Sequence, residues 1–256
     1  MSLHDYDNGP RVRPGVRLFV DADLRPGQAA PLTSMQANYA LRVMRLQDGA
    51  GLLVFNGRDG EWAAALRIDG KARALIEPLR RTREQSPLQD VVYLFAPLKR
   101  ERMDYVVQKA TEMGVGALRP VLTKRTVVER VNGERMRANV IEAAEQCGVL
   151  SVPDVRPPEK LSRVLDGWDA RRRLIFCDEA ATIAPPLAAL ASIEPGPLAV
   201  LIGPEGGFDA EERARLLAAP YVTAISLGPR VMRADTAAVA ALALVNAVLG
   251  DWRGAE

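Results

Sequence analysis

The pattern of hydrophobic positions divides the chain into two regions. Between Arg17 and about Arg80, short apolar runs are separated by turns that contain glycine, and beyond Asp90 apolar runs alternate with segments of helical periodicity. Asn-Gly or Asp-Gly between short runs is typical of β-hairpins, and strands that alternate with helices are typical of a mainly parallel sheet. The sequence therefore predicts a small β-barrel domain over residues 1–80 and an α/β domain over residues 81–256.

The same pattern predicts the individual elements. In the first region it predicts strands over 17–20, 51–55, 62–68 and 73–79 and a helix over 34–44. In the second it predicts strands over 90–95, 118–122, 174–178, 198–202 and 222–227, and helices over 102–113, 134–147, 186–192, 213–218 and 234–249. The polar segment 80–89 has the composition of a linker, and 153–159, with its prolines, is predicted to be a rigid loop.

Two predicted strands end in similar turns, GPEGG at 203–207 and GPR at 228–230. Ligands of open parallel sheets bind beyond the carboxyl ends of the strands, so the paired loops predict a binding site. A single Gly-Pro turn is more often only a turn, and the prediction depends on the pair. Asp209 and Glu212 have the spacing of a capping box, and Asp235 or Thr236 is predicted to cap the last helix.

The last helix, 234–249, is apolar on almost every side, with Asn246 its only polar side chain after Thr236. It is too short to cross a bilayer. A monomer rarely encloses its terminal helix completely, so the pattern predicts a partner subunit packed on it, and hence a homodimer.

Composition excludes several classes of chemistry. The chain has 256 residues, 48% of them hydrophobic, and a net charge of +2. Its single histidine, His4, and its two cysteines, Cys147 and Cys177, support neither a metal site nor Ser-His-Asp or Cys-His catalysis. No secretory leader is present, so a cytoplasmic protein is expected. Residues 99–137 contain ten Lys or Arg against five Asp or Glu, which indicates either nucleic-acid binding or a solvated surface.

Several motifs together carry a resemblance to a known family. They are APLK (96–99), QKATEMGV (108–115), EAAEQ (142–146), LIGPEGGF (201–208) and LGPRVMRADTA (227–237). In this order they resemble the bacterial 16S rRNA uridine-N3 methyltransferase family (RsmE-like) of the SPOUT superfamily. The resemblance implies a fold with a PUA-like β-barrel followed by an α/β domain whose mainly parallel sheet is threaded into a trefoil knot. It also implies S-adenosyl-L-methionine as cofactor and 16S rRNA, or the small ribosomal subunit, as partner.

The resemblance also implies roles for individual residues. Cofactor binding is expected at Cys177, Gly203, Glu205, Gly206, Leu227, Gly228 and Met232. Arg233 is expected to stabilise charge in the reaction and Glu205 is a candidate proton acceptor; alternatively, Arg233 pairs with Glu205 or Asp235 and only joins the two loops. RNA contacts are expected at Arg17, Arg42, Arg45, Lys99, Arg100, Lys109, Lys124, Arg125, Gln146 and Arg230, with Arg42 and Arg45 on one helix face because they are three residues apart.

The implied chemistry depends mainly on positioning. The sulfonium of S-adenosylmethionine is already a good leaving group, so the protein chiefly has to hold the methyl group in line with the acceptor. Loss of the N3 proton spreads negative charge onto O2 and O4 of uracil, where an arginine would stabilise it. Two alternatives remain open: a SPOUT enzyme with another acceptor, such as a ribose 2'-hydroxyl or another base nitrogen, and a non-catalytic RNA-binding assembly factor.

Overall fold

The computed structural model describes residues 12–128, 130–181 and 185–254. The chain divides into two compact units, one formed by Met1–Pro87 with Ala144–Ser151 and the other by Leu88–Ala143 with Val152–Glu256. The first unit is thus longer than the predicted 1–80 and includes a segment from the middle of the chain. His4 and the polar tail around it lie outside the described residues.

The first unit contains a five-stranded sheet of order β1-β3-β4-β5-β2. Its strands are β1 (Val12–Phe19), β2 (Ala30–Pro31), β3 (Gly51–Phe55), β4 (Glu61–Ile68) and β5 (Ala74–Arg83). Among the described strands of this unit, β1 and β3 pair in parallel and the other pairs are antiparallel. Leu52, Val54, Leu66 and Ile76 are fully buried in its core. The predicted linker is partly wrong, because β5 continues through the polar residues as far as Arg83, which pairs in register with Glu61.

The helix predicted over 34–44 is present, but it changes from α to π geometry halfway along. Helix α1 (Ser34–Asn38) begins with a capping box between Thr33 and Gln36 and continues as a π-helical turn, Tyr39–Val43. Arg45 follows in the left-handed conformation, with φ of 51°. Arg42 and Arg45 therefore do not share a helix face, because Arg45 lies beyond the helix.

Arg17 is an internal structural residue of the first unit. Its Nε donates to Glu61 Oε1 at 2.7 Å, and its two terminal nitrogens donate to the carbonyls of Ala144 and Val149. The guanidinium also lies over the ring of Phe55, 3.7 Å from its centroid. With 8% of its side chain exposed and its guanidinium bonded within the unit, Arg17 has a structural role here, which argues against the predicted RNA contact.

The second unit is an α/β domain. Its sheet has the order β12-β10-β11-β6-β7-β8, and β9 pairs with β7. All its paired strands run parallel. The strands are β6 (Val91–Phe95), β7 (Ala117–Leu122), β8 (Asp154–Val155), β9 (Glu159–Lys160), β10 (Arg173–Cys177), β11 (Leu198–Ile202) and β12 (Val222–Ile225). The helices are α2 (Arg100–Glu112), α3 (Gly133–Cys147), α4 (Leu161–Asp166), α5 (Pro186–Ala191), α6 (Ala210–Ala218) and α7 (Ala234–Val248).

Both faces of this sheet are buried, as the continuous apolar runs predict. Tyr93 and Phe95 belong to the cluster on one face, with α2 and α7, whereas Leu94 belongs to the cluster on the other face, with α4 and α6. The α/β class with a mainly parallel sheet is confirmed. The knot stays a prediction.

Helix α7 buries one side in the second unit and leaves another side partly exposed. Ala238, Ala241, Leu242 and Val245 are buried, whereas Val239, Ala243 and Ala247, spaced four residues apart, are not. The N-cap residue is Arg233, without a side-chain hydrogen bond. The predicted cap at Asp235 or Thr236 is wrong, because the helix has already begun at Ala234.

The structure differs from the sequence prediction at two further places. The segment 153–159 is not a simple loop, since it contributes strands β8 and β9 to the edge of the sheet. Helix α4 was not predicted, although its Leu161, Val164 and Leu165 are buried. Among the described residues, no helix has the length and apolar character required to cross a membrane.

Candidate active site

A cavity of about 950 Å³ lies at the carboxyl ends of β10 and β11, beside the loop after β12. Its walls include residues 177–181, 202–205, 207–208 and 226–234, together with Arg102 and Arg213. The carboxyl edge of a parallel sheet is where ligands of such folds bind. The two Gly-Pro loops that the sequence predicts as a site therefore meet in one cavity.

The first loop owes its shape to two glycines. A Cβ at Gly203 would lie 2.3 Å from the ring of Phe208, and Gly207 has φ of 67° and donates to the carbonyl of Pro204 at 2.9 Å. The Phe208 ring packs edge-on against Phe176 of β10, with centroids 5.0 Å apart. Larger residues at these glycines would displace the loop. Gly206, expected at the cofactor, does not line the cavity, and its carbonyl accepts from Arg125 at 2.9 Å.

The second loop presents both apolar side chains and bare backbone to the cavity. Leu227 and Met232 line it and pack against the core of the second unit. Gly228 has φ of 108°, and apart from its chain neighbours no atom of the described residues lies within 4 Å of the position that its Cβ would occupy. Ser226 Oγ accepts from the Gly228 N–H at 3.3 Å. This open backbone lets a ligand approach closely.

Two neighbouring residues at the end of β10 line the cavity in different ways. Burial raises the pKa of the Cys177 thiol to about 12, so this thiol stays protonated at neutral pH and is a poor nucleophile. The Asp178 carboxylate has 4% of its side chain exposed and accepts three hydrogen bonds from Arg213, at 2.7, 3.0 and 3.1 Å. Asp178 also accepts from the N–H of Ala180, which fixes the following turn.

Glu205 has a partner that the sequence did not predict. Its Oε1 accepts from the guanidinium of Arg102, in the first turn of α2. The expected pairing of Arg233 with Glu205 or Asp235 is absent from the ion pairs of the described residues. Arg233 is exposed and lines the cavity together with Arg230. The structure thus leaves the Arg233 guanidinium available to a ligand.

The other residues expected to contact RNA differ in whether they form ion pairs with acidic side chains of the protein. Arg42, Arg45, Lys99, Arg100, Gln146 and Arg230 are exposed. Lys109 pairs with Glu112 at 2.7 Å, and Lys124 pairs with Asp209 and Glu211, which raises the pKa of Lys124. Lys124 thus contacts the start of α6, and Arg125 contacts the first loop.

Among the described residues, no group of three or more His, Cys, Asp or Glu side chains is placed so that it could hold a metal ion.

Arg102, Arg213 and Phe208 line the cavity, but the sequence did not indicate them as site residues. Arg102 follows β6, which the structure, and not the sequence, shows to be the neighbour of β11 in the sheet. Parallel neighbours place their carboxyl ends together, so the helix after β6 had to begin close to GPEGG.

Comparisons with known proteins agree with this geometry. The model of a family described as "RNA methyltransferase domain" matches residues 84–246, and a second, "RNA methyltransferase PUA domain", matches residues 32–79. A Synechocystis protein named ribosomal RNA small subunit methyltransferase E is 33% identical over 223 residues, covering 85% of this chain and 73% of that one. A protein of the same name from Rickettsia conorii is 28% identical over 233 residues, covering 90% and 94%.

Two solved structures resemble the chain over nearly its whole length. The ribosomal RNA small subunit methyltransferase E of Neisseria gonorrhoeae, bound to S-adenosyl methionine, has a TM-score of 0.81 and 30% identity and covers 93% of this chain and 99% of its own. A methyltransferase of Legionella pneumophila, in complex with the cofactor SAM, has a TM-score of 0.80 and 30% identity and covers 94% and 100%.

Proposed function

The chain belongs to the RNA methyltransferase family, and on that premise we propose that it transfers a methyl group from S-adenosylmethionine to a uridine N3 in the 16S rRNA of the small ribosomal subunit. The substrate class and the cofactor are supported by relatives named as small-subunit rRNA methyltransferases, one of them bound to S-adenosyl methionine. The acceptor nitrogen is supported by the resemblance of the loops 201–208 and 227–237 to the uridine-N3 enzymes.

The cavity between the two Gly-Pro loops is the observation that carries the proposal. Its volume, about 950 Å³, lies within the range of about 300–1,000 Å³ that is usual for ligand sites. Leu227 and Met232 supply apolar surface, and the open backbone of Gly228 permits close approach of a ligand. When bound, S-adenosylmethionine supplies a methyl group on a positively charged sulfur.

We assign the chemical step to Arg233 and Glu205. The exposed guanidinium of Arg233 lies at the cavity and, among the described residues, has no acidic partner, so it can donate to O2 or O4 of uracil as negative charge develops there. Glu205 is the candidate acceptor of the N3 proton, but its Oε1 is engaged by Arg102. It can accept that proton only after Arg102 has moved or through its second oxygen.

We further propose that the protein acts in the cytoplasm as a homodimer joined through α7, whose Val239, Ala243 and Ala247 form an apolar stripe that the described residues of one chain do not fully bury. RNA is held in part by the exposed Arg42 and Arg45 of the first unit. This is the unit matched by the RNA methyltransferase PUA domain.

Reconstitution tests the proposed reaction. The purified protein is incubated with S-adenosylmethionine carrying a labelled methyl group and with small-subunit rRNA, either naked or in assembled subunits, from a strain that lacks the gene. Digestion to nucleosides and mass spectrometry should show labelled N3-methyluridine. A labelled ribose methyl group or another methylated base would replace the proposed acceptor, and no label in either substrate would contradict methyl transfer to small-subunit rRNA.

A further inference from the structure

The ion pair between Arg102 and Glu205 lies at the wall of the cavity. Arg102 belongs to the first turn of α2 and Glu205 to the GPEGG loop, so the pair joins two elements that are 103 residues apart in the chain. Both side chains are partly open to solvent, with 36% of Arg102 and 51% of Glu205 exposed. An ion pair this exposed contributes little to stability, because water screens it.

A second arginine–carboxylate pair lines the cavity, and its carboxylate is buried and not exposed to solvent. Arg213 is bonded to Asp178, whose side chain is only 4% exposed. Removing Arg213 from Asp178 would leave a buried carboxylate without a cation, which is strongly unfavourable. Arg102 can leave Glu205 at far lower cost, because the released carboxylate is solvated. Of the two arginines, Arg102 is therefore the one whose guanidinium can leave its carboxylate and bind a ligand instead.

Arg102 also lies beside other cations that a polyanion would meet. Arg230 and Arg233 line the same cavity, and no ion pair joins either of them to an acidic side chain of the described residues. A guanidinium presents two parallel N–H groups that match phosphate oxygens as well as carboxylate oxygens. A phosphate reaching this wall would thus compete with Glu205 for the same donors.

We propose that Arg102 is a substrate-binding residue, held by Glu205 in the RNA-free protein and transferred to a backbone phosphate of the RNA when the RNA binds. The exchange frees the Glu205 carboxylate at the cavity only when substrate is present. This inference rests on the proposed function, since it takes RNA to be the substrate.

The test measures RNA affinity of the full-length protein over a series of KCl concentrations. The probe is small-subunit rRNA from a strain that lacks the gene, and the variants are Glu205→Gln, Arg102→Gln, Arg102→Lys and the double variant Glu205→Gln with Arg102→Gln. Affinity for S-adenosylmethionine is measured on the same samples. The matched control is Asp166→Asn, which breaks the exposed Arg215–Asp166 pair outside the cavity.

Glu205→Gln should bind RNA about two- to fivefold more tightly than the wild type, the factor that corresponds to an exposed ion pair. Arg102→Gln should bind RNA more weakly and reduce the slope of log affinity against log salt by about 0.7, the value for one phosphate contact on a single strand. Arg102→Lys should keep that slope, and the double variant should match Arg102→Gln. Asp166→Asn should leave RNA affinity and salt slope unchanged.

Equal weakening of RNA binding by Glu205→Gln and Arg102→Gln would overturn the inference, because it would mean that the pair only supports the loop. So would an unchanged salt slope in Arg102→Gln, or loss of cofactor affinity without loss of RNA affinity. If the wild-type protein methylates small-subunit rRNA in these preparations, such results reject the exchange alone. If the wild type neither binds nor methylates that RNA, the proposed function fails and the inference with it.

Discussion

Arg213 and Asp178 join helix α6 to the end of strand β10 through three hydrogen bonds of 2.7, 3.0 and 3.1 Å. These bonds raise the pKa of Arg213. Asp178 lies beside Cys177 at the cavity, and α6 is the helix that follows the GPEGG loop. The pair therefore holds together two walls of the candidate cofactor site.

Arg213→Ala should destabilise the second unit and weaken cofactor binding. It leaves the buried carboxylate of Asp178 without its cationic partner, with only the Ala180 N–H still donating to it among the described residues, which costs about 1–3 kcal/mol or more. Urea unfolding and titration with S-adenosylmethionine measure the two effects. Arg215→Ala, on the same helix but paired with the exposed Asp166, is the control and should change both little. If the two variants behave alike, the pair does not support the site.

Arg233→Ala should slow the chemical step without disturbing the fold. Single-turnover methyl transfer at saturating RNA should fall roughly a hundredfold, as it does when one donor to a developing oxyanion is lost. Affinity for S-adenosylmethionine and the oligomeric state should stay at wild-type values. Arg230→Ala is the neighbouring control and should keep the single-turnover rate at saturating RNA. Equal losses of cofactor affinity and rate in Arg233→Ala would show that Arg233 only shapes the pocket.

Charge on the exposed stripe of α7 should separate the proposed homodimer. Ala243→Glu places a carboxylate between Val239 and Ala247 on a side of the helix that is not fully buried in one chain, so the subunit should still fold. Sedimentation at micromolar concentration should show twice the mass of the chain for the wild type and the mass of one chain for the variant. Leu217→Glu, at an exposed position of α6, should remain dimeric. A wild-type monomer would reject the dimer.

Replacing Arg42 and Arg45 together by Gln should weaken RNA binding to a similar extent across sequences. Loss of two phosphate contacts should reduce the slope of log affinity against log salt by about 1.4 on single-stranded RNA, with cofactor affinity unchanged. Arg67→Gln is the control, because Arg67 is exposed in the same unit but is bonded to Glu77 at 2.7 Å. An unchanged slope in the double variant would remove this surface from the RNA contact.

The Cys177 thiol, which is half-buried at the cavity wall, should resist alkylation because it stays protonated, and it should make stability depend on alkaline pH. Burial raises the pKa of Cys177 from 9.0 to about 12, so iodoacetamide at pH 8 should label the exposed Cys147 and leave Cys177 unlabelled until the protein unfolds. Above pH 9 the unfolded chain loses this proton while the folded protein retains it. The free energy of unfolding should therefore fall as pH rises from 9 towards 12.

Cys177→Ala provides the reference, because its unfolding free energy should fall less over the same pH range. Peptide mapping by mass spectrometry locates the alkylated cysteine. Rapid labelling of Cys177 in the folded protein would show that its pKa is not raised in the way that the prediction requires.

The sequence predicted those features that depend on local pattern. Strand β11 coincides with the predicted 198–202, and the capping box of Asp209 and Glu212 is present. Both follow from residues that are neighbours in the chain. The convergence of the two Gly-Pro loops also followed from the sequence, because parallel strands bring their carboxyl ends to one edge.

The features that were missed depend on distant partners. Arg17 looked like any surface arginine, but the residues that bury it, Glu61 and Val149, are 44 and 132 positions away. Glu205 pairs with Arg102, 103 positions away, and not with the nearby Arg233. Periodicity shows which side of an element is buried, but it does not show which long polar side chain meets which partner.

The proposed methylation of a uridine N3 in small-subunit rRNA can be read from the nucleosides of that RNA. Small-subunit rRNA is isolated from the parent strain, from a strain that lacks the gene, and from that strain carrying either the wild-type gene or Arg233→Ala. After digestion, mass spectrometry should find N3-methyluridine in the parent, its loss without the gene, and its return with the wild type but not with Arg233→Ala. Unchanged N3-methyluridine in the strain without the gene, or loss of a different methylated nucleoside instead, would contradict the claim.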